Sequence, residues 1–373
     1  MSEVLKQCTV VLTRSCNLRC EFCFEKEAGY SDRDRISFED LKKIVDFCSD
    51  ANVKYMFLTG GEPLTYPYLL DILKYIKSKE NNIIPTIATN GVLLSDLEMC
   101  KKLIDNGMEY IDISMKGNNS SEWERVTGVD GLEKQCKAIK NLSDLSMNFT
   151  CSMVITQDNV QDFCQSVKRA KQYGARQFSF TFIIDNNNKD DKDEVYLNKH
   201  NPIKLINAFI DKIDELNQIT DDWWIEYSFP LCIFTKQQLD LLKGRLATPC
   251  QIHLNNALTI TPKLEILPCD MYLNEPVGKF GKDFISYNEY IELKKSDNYK
   301  KIMDSIQMLP SNDCMKCTYL EKCYGGCTVL WKNYSFSALM EYKNNFYKKL
   351  SATEKLDSDT VKSRKKRSKH YRQ

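Results

Sequence analysis

The sequence predicts an α/β protein: a partial (β/α)6, TIM-like barrel followed by a small cysteine-rich C-terminal domain. Three observations predict it. Strand-like and helix-like stretches alternate six times through the first half. The strand-like stretches are apolar almost throughout, as parallel strands covered on both faces are. Nine of the 16 cysteines fall in two zones, 16–23 and 250–327, the second amid short strands and turns.

Apolar, β-branched runs stand at Thr9–Leu12, Tyr55–Leu58, Ile83–Ala88, Tyr110–Ser114, Cys151–Ile155 and Phe178–Ile184. Helical patterns separate them at Phe38–Cys48, Tyr68–Ile76, Leu97–Ile104, Leu132–Leu142 and Val160–Ala170. Repeated strand–helix–strand units give parallel strands joined by right-handed crossovers. Eight units close a full barrel, so six predict an open one. The polar run 185–192 reads as an exposed loop. A helix is predicted over Pro202–Leu216, followed by Trp223, Trp224 and Tyr227 and by a helix near Lys236–Lys243. Cys250 opens the second domain, and the basic run 362–370 reads as a solvated tail. The expected division is a core at 1–190, bridging helices at 191–249, a cysteine-rich domain at 250–335 and a C-terminal helix and tail at 336–373.

The composition narrows the function classes. A net charge of +1 over 373 residues gives no electrostatic bias toward nucleic acid or membrane. No apolar run approaches the roughly 18 residues that span a bilayer. The first residues lack an apolar signal core, so a cytoplasmic location is expected, where disulfides are disfavoured. Only three histidines occur, His200, His253 and His370, which disfavours histidine acid–base chemistry and a His-rich zinc site. Seven cysteines (Cys8, Cys48, Cys100, Cys136, Cys151, Cys164, Cys232) are scattered singly and read as small buried hydrophobes. The clustered ones read as metal ligands.

Cys16, Cys20 and Cys23 directly follow the first strand. Thiolates are the soft ligands of iron–sulfur clusters, and a four-iron cube takes four. This loop supplies three, which leaves one iron open to a ligand that is not protein. A zinc site short of one ligand is the alternative. The second strand ends in Thr59-Gly60-Gly61-Glu62-Pro63, whose glycines permit close backbone approach. The third ends in Thr89-Asn90-Gly91 and the fourth in Ser114-Met115-Lys116-Gly117. Parallel α/β folds place functional loops at this rim.

Cys16-x3-Cys20-x2-Cys23 with Phe22, Gly60-Gly61-Glu62-Pro63 and Thr89-Asn90-Gly91 together resemble the radical S-adenosylmethionine (SAM) superfamily, over roughly residues 8–190. The resemblance implies that Cys16, Cys20 and Cys23 ligate a [4Fe-4S] cluster whose open iron binds the methionine end of SAM. Electron transfer then cleaves SAM to methionine and a 5′-deoxyadenosyl radical, which abstracts hydrogen from a C–H bond. It implies cofactor contacts from Gly60, Gly61 and Glu62 to the methionine amino group. Asn90 is a further cofactor-contact candidate, Ser114 would meet the ribose or carboxylate, and Arg125 would lie near the carboxylate, although the loop before Arg125 is one residue short.

The second zone, Cys250, Cys269 and Cys314-x2-Cys317-x5-Cys323-x3-Cys327, resembles the SPASM extension of radical SAM peptide- and protein-modifying enzymes. The resemblance implies one or two auxiliary iron–sulfur clusters, with Cys250, Cys269 and Cys327 on one and Cys314, Cys317 and Cys323 on the other. Two features depart from it: Leu264 stands where a glycine is usual, and no cysteine follows Cys327. A missing ligand would be a carboxylate, water, substrate or a scattered cysteine such as Cys8. With fifteen residues before Cys16, a precursor-recognition domain is not expected there, because a folded domain needs about 50 residues.

The leading expectation is hydrogen abstraction from a peptide or protein, maturing a ribosomally synthesised, post-translationally modified peptide through a thioether, C–C or C–O crosslink or an epimerisation. The expected partners are the precursor peptide or protein, a reductant such as flavodoxin or ferredoxin, and a separate peptide-recognition protein, with no nucleic acid or membrane. The alternatives are a small-molecule radical SAM enzyme of molybdopterin- or haem-type cofactor biosynthesis, and a sulfatase-maturing formylglycine generator. The last needs a carboxylate base, for which Asp270 is a candidate.

Overall fold

The computed structural model describes residues 5–26, 29–184, 201–226, 229–247 and 249–350. Six βα units follow one another: β1 (Gln7–Thr13), α1 (Phe38–Asp50), β2 (Tyr55–Gly60), α2 (Leu69–Lys77), β3 (Ile84–Thr89), α3 (Leu97–Asp105), β4 (Tyr110–Met115), α4 (Ser120–Thr127), α5 (Leu132–Asp144), β5 (Phe149–Ile155), α6 (Phe163–Gln172) and β6 (Gln177–Phe182). All six predicted strands are present, each end within two residues of its expected place. They pair in parallel and in chain order.

The sheet extends beyond these six. Strand β7 (Trp223–Ile225) adds in parallel to β6, so the Trp223–Trp224 pair is a strand. On the other side of β1, β8 (Ala257–Ile260) pairs in parallel, and β9 (Glu265–Leu267) and β10 (Gly278–Lys279) continue antiparallel. One ten-stranded sheet results, in the order β10-β9-β8-β1-β2-β3-β4-β5-β6-β7. Its edges are β7 and β10, so the barrel is open. The predicted helix over Pro202–Leu216 is two helices, Pro202–Ile210 and Ile213–Ile219. Tyr227, the run 185–192, His200 and the basic run 362–370 lie outside the described residues.

The pleat sorts each strand into a packed face and a lumen face. On β4, Ile111, Ile113 and Met115 are buried while Tyr110, Asp112 and Ser114 are partly exposed. The helices cover the packed face. On α1, Leu41, Ile44, Val45, Phe47 and Cys48 recur at helical spacing and are buried. Each such large side chain stabilises by about 1.5–3 kcal/mol. The rigid shell leaves the polar lumen and the strand C-terminal rim for chemistry. Six of the scattered cysteines are buried as expected, but Cys232 is exposed. Among the described residues no helix is long and apolar enough to cross a membrane.

Candidate functional site

The loop holding Cys16, Cys20 and Cys23 leaves β1 at the rim, and all three thiols are free and partly exposed. It is clamped at both ends. Buried Arg14 pairs with Glu25 at 2.6 Å and with Asp34 at 2.9 Å. Arg19 donates to the carbonyls of Cys16 (2.7 Å) and Leu18 (2.8 Å), and its guanidinium lies 4.2 Å from the Tyr30 ring centre. The loop N–H groups of Arg19 and Glu21 donate to Thr127 O and Val126 O, carbonyls at the end of α4 that its own ladder leaves open. Leu18 N–H donates to Cys16 Sγ at 3.4 Å. Burial pushes the Cys16 thiol up to about 11, with the neighbouring Cys20 and Cys23 adding to the rise. Burial also raises Cys20, and Lys116 opposes it. Thiols in this state ionise when a metal replaces the proton.

The end of β2 is pressed against this loop. A Cβ on Gly60 would lie 2.3 Å from Thr13 O, and one on Gly61 would lie 2.3 Å from Ser15 O. Gly61 N–H donates to Thr13 O and Glu62 N–H to Ser15 O, each at 2.7 Å. Both amide protons are thus spent on docking the cysteine loop, so an incoming ammonium would find only carbonyl and carboxylate acceptors at this strand end. Glu62 is buried and accepts from Thr89 Oγ1 (2.6 Å), Asn90 N–H (2.9 Å) and Leu64 N–H (3.1 Å). Burial raises its carboxyl, and these bonds pull it back.

The ends of β3 and β4 complete the rim. Asn90 Nδ2 donates to Asn17 Oδ1 of the cysteine loop at 2.8 Å. Ser114 Oγ accepts from Lys116 Nζ at 2.7 Å, and that ammonium lies 5.4 Å from the Phe22 ring centre. Arg125, on α4, is half exposed and pairs with Glu21 of the loop at 3.1 Å. Two residues here carried no sequence signal for a role. Lys116 is the cation beside Cys20. Gln135 is buried on α5 and donates to Asn90 O (2.8 Å) and Ser114 O (3.0 Å), fixing two strand ends to each other.

Deeper in the lumen, Asp112 Oδ2 accepts from Ser152 Oγ at 3.0 Å, while buried Oδ1 has no hydrogen-bond partner. Burial raises this carboxyl to about 7. Its unfolded value is about 3.9, so between roughly pH 4 and 7 the fold holds a proton that the unfolded chain has lost, and stability falls as pH rises. Asp112→Asn should therefore gain on the parent by up to about 2–3 kcal/mol between pH 5 and pH 8. Anaerobic urea denaturation of both proteins at the two pH values checks this; an equal difference at both would contradict it.

Residues 10–170 match the family described as the Radical SAM superfamily. The chain carries a radical SAM domain. The donor chemistry agrees: three free thiols on one loop, and a glycine strand end that a Cβ would jam. A probable GTP 3′,8-cyclase of Thermococcus kodakarensis is 29% identical over 160 residues, 42% of this chain and 51% of that protein. The antilisterial bacteriocin subtilosin biosynthesis protein AlbA of Bacillus subtilis is 25% identical over 324 residues, 86% of this chain and 66% of that protein. The chain spans about half the length of the curated relatives it matches first. Streptococcus suis SuiB, solved bound to its precursor peptide SuiA, shares the fold with a TM-score of 0.65 at 19% identity, covering 89% of this chain and 75% of that one.

Beyond the radical SAM domain, the structure gathers the later cysteines into two sets. Cys269 interacts electrostatically with Cys250 and Cys327, and all three thiols are raised chiefly by burial. Cys314 interacts likewise with Cys317 and Cys323. Cys8 joins neither set; it is buried on β1 beside Cys48. Leu264 has φ of 64° in the turn between β8 and β9, the left-handed conformation that a glycine would hold without strain. Asp270 is half-buried, accepts from Thr259 Oγ1 at 2.8 Å and has its carboxyl raised by desolvation. Among the described residues no three His, Cys, Asp or Glu side chains gather tightly enough to hold one metal ion.

Proposed function

We propose that this chain is a radical SAM enzyme acting on a peptide or protein. In this reading Cys16, Cys20 and Cys23 hold the [4Fe-4S] cluster, and the two later cysteine sets hold auxiliary clusters. When bound, the reduced cluster and SAM supply an organic radical that takes a hydrogen atom from an unactivated carbon. The chain's own contribution is position and dryness. Arg14 and α4 fix the cysteine loop, Gly60 and Gly61 let it dock on β2, and Glu62 locks that strand end to β3. The carbonyl acceptors of the rim suit the ammonium of methionine, while Ser114, Lys116 and Asn90 offer polar groups to its carboxylate and ribose. Arg125 holds Glu21 at the loop's outer face.

One observation favours a peptide over a small molecule. The likeness to AlbA runs over 324 residues, a length that must pass through most of the cysteine-rich segment. The likeness to the GTP cyclase covers 160 residues, which the radical SAM domain alone accommodates. That core likeness is what favours the second reading, a small-molecule reaction of cofactor biosynthesis. The expected product is a crosslinked or epimerised peptide, with a flavodoxin- or ferredoxin-type reductant and a separate peptide-recognition protein as partners.

The test is an anaerobic incubation of the reconstituted, reduced protein with SAM and either GTP or the peptide encoded beside its gene. The expected result is 5′-deoxyadenosine formation coupled to a changed peptide, read as a mass loss for a crosslink or by chiral amino-acid analysis for an epimer. A new GTP-derived product resolved by chromatography, with an unaltered peptide, would reverse the reading.

A further inference from the structure

The thiols of Cys314, Cys317 and Cys323 line a cavity of about 400 Å³. A fourth thiol, Cys232, lines the same cavity from a distant part of the chain. It arrives on the short turn Leu231–Ile233, which follows Pro230. Of the two glycines between Cys323 and Cys327, Gly326 admits that turn and Gly325 seats Pro310. A Cβ on Gly326 would lie 2.5 Å from Pro230 N, and one on Gly325 would lie 2.5 Å from Pro310 Cδ. Both glycines hold positive φ, 84° at Gly325 and 78° at Gly326, so space and conformation each require glycine there.

The contact this makes is chemical as well as steric. Leu231 N–H donates to Cys323 Sγ at 3.3 Å, the kind of bond that tunes a cluster sulfur. Cys232 itself is close enough to Cys323 and Cys314 to interact with both electrostatically. The turn is held from behind by Lys343, whose Nζ donates to Cys232 O at 2.7 Å and Phe234 O at 3.0 Å. Cys232 is exposed, unlike the other six scattered cysteines.

We propose that Cys232 is the fourth thiolate ligand of the iron–sulfur cluster held by Cys314, Cys317 and Cys323. The proposal rests on the auxiliary-cluster reading above. Each thiol gives up its proton on ligation, and four thiolates complete a cube. This cluster then has no open iron, so it relays electrons and does not bind substrate. Any open auxiliary iron belongs to the set of Cys250, Cys269 and Cys327.

The test uses the full chain with Cys16→Ala, Cys20→Ala and Cys23→Ala as parent, so that only auxiliary iron is counted. Alkylation mapped by mass spectrometry compares loaded protein with chelator-stripped protein. Loading is expected to protect Cys232 by roughly tenfold or more, because a ligated thiolate is no longer a free nucleophile. In the same parent, Cys232→Ala is expected to lower bound iron and to give a three-iron EPR signal on mild oxidation. Cys136→Ala should keep the parent's iron, sulfide and spectrum. Equal reactivity of Cys232 in loaded and stripped protein, or parental iron and spectrum in Cys232→Ala, would overturn the assignment. Combined Cys314→Ala, Cys317→Ala and Cys323→Ala separates the two levels. Iron loss there with Cys232→Ala unchanged defeats only the ligand assignment; parental iron there defeats the auxiliary-cluster reading and the assignment with it.

Discussion

Combined replacement of Cys16, Cys20 and Cys23 by alanine should reduce 5′-deoxyadenosine formation to the level of a protein-free control. Among the described residues the buried cysteines Cys8, Cys48, Cys100, Cys136, Cys151 and Cys164 are packed into the shell. The sole described histidine, His253, stacks on Tyr324 and contacts Gly326 O at 3.2 Å, within the second cysteine zone. The fold should survive the replacement. Arg14, Glu25 and Asp34 hold the loop through their own side chains, and Arg19 and Glu21 hold it through backbone. Of the bonds that hold the loop, those from Leu18 N–H to Cys16 Sγ and between Tyr30 and Cys23 use a thiol, and losing each costs about 1 kcal/mol. Product analysis by chromatography, with the urea midpoint alongside, separates lost chemistry from lost structure. A variant that unfolds near the parent's midpoint and makes no 5′-deoxyadenosine is the expected outcome.

Gly61→Ala should destabilise the chain strongly through a steric clash alone, since its φ is not in the left-handed region. The new Cβ would stand 2.3 Å from Ser15 O and 2.7 Å from Ser15 C, both backbone atoms that no rotamer can move. Residues 13–15 would have to retreat, stretching the 2.7 Å bonds from Gly61 N–H to Thr13 O and from Glu62 N–H to Ser15 O. Glu62 would shift with them and strain its three accepted bonds while buried. Overpacking and unmade buried hydrogen bonds together should cost roughly 3–5 kcal/mol. Iron retained by the cysteine loop should fall in parallel. Gly281→Ala is the comparison: its φ is 80° but nothing lies within 4 Å of the added Cβ, so about 1–2 kcal/mol of left-handed strain is all it should show. Urea denaturation and iron analysis of both variants measure this. Equal losses in the two would mean that docking of the cysteine loop does not require glycine at position 61.

The central strands were legible because each is a mostly apolar or alternating run closed by a polar or glycine-rich end. Their C-terminal residues share a rim by topology alone, so Cys16, Gly60, Asn90 and Ser114 could be grouped before any coordinates. The remainder depends on contacts between distant segments. Strand β7 is three residues of Trp-Trp-Ile, too short to show a period. Strand β8 lies beside β1 through pairing that no local pattern encodes. Helix α4 is eight residues with Trp123, Val126 and Thr127 buried, a stripe too brief to stand out. Gln135 and Lys116 look like ordinary surface residues until α5 and the cysteine loop are placed. Cys232 read as one more buried hydrophobe, because a single cysteine carries no spacing. Its meaning comes from the glycine at 326, which lets Pro230 approach.

The central claim is that the loop after β1 holds a cluster with an iron left open for SAM. EPR of the anaerobically reconstituted, reduced protein tests it most directly, recorded with and without SAM and beside the chain lacking Cys16, Cys20 and Cys23. The account predicts a reduced-cluster signal whose shape changes when SAM is added, and no SAM-dependent change in the alanine variant. A spectrum of the unaltered protein that SAM leaves unchanged, or the same SAM-dependent change in both proteins, would contradict it.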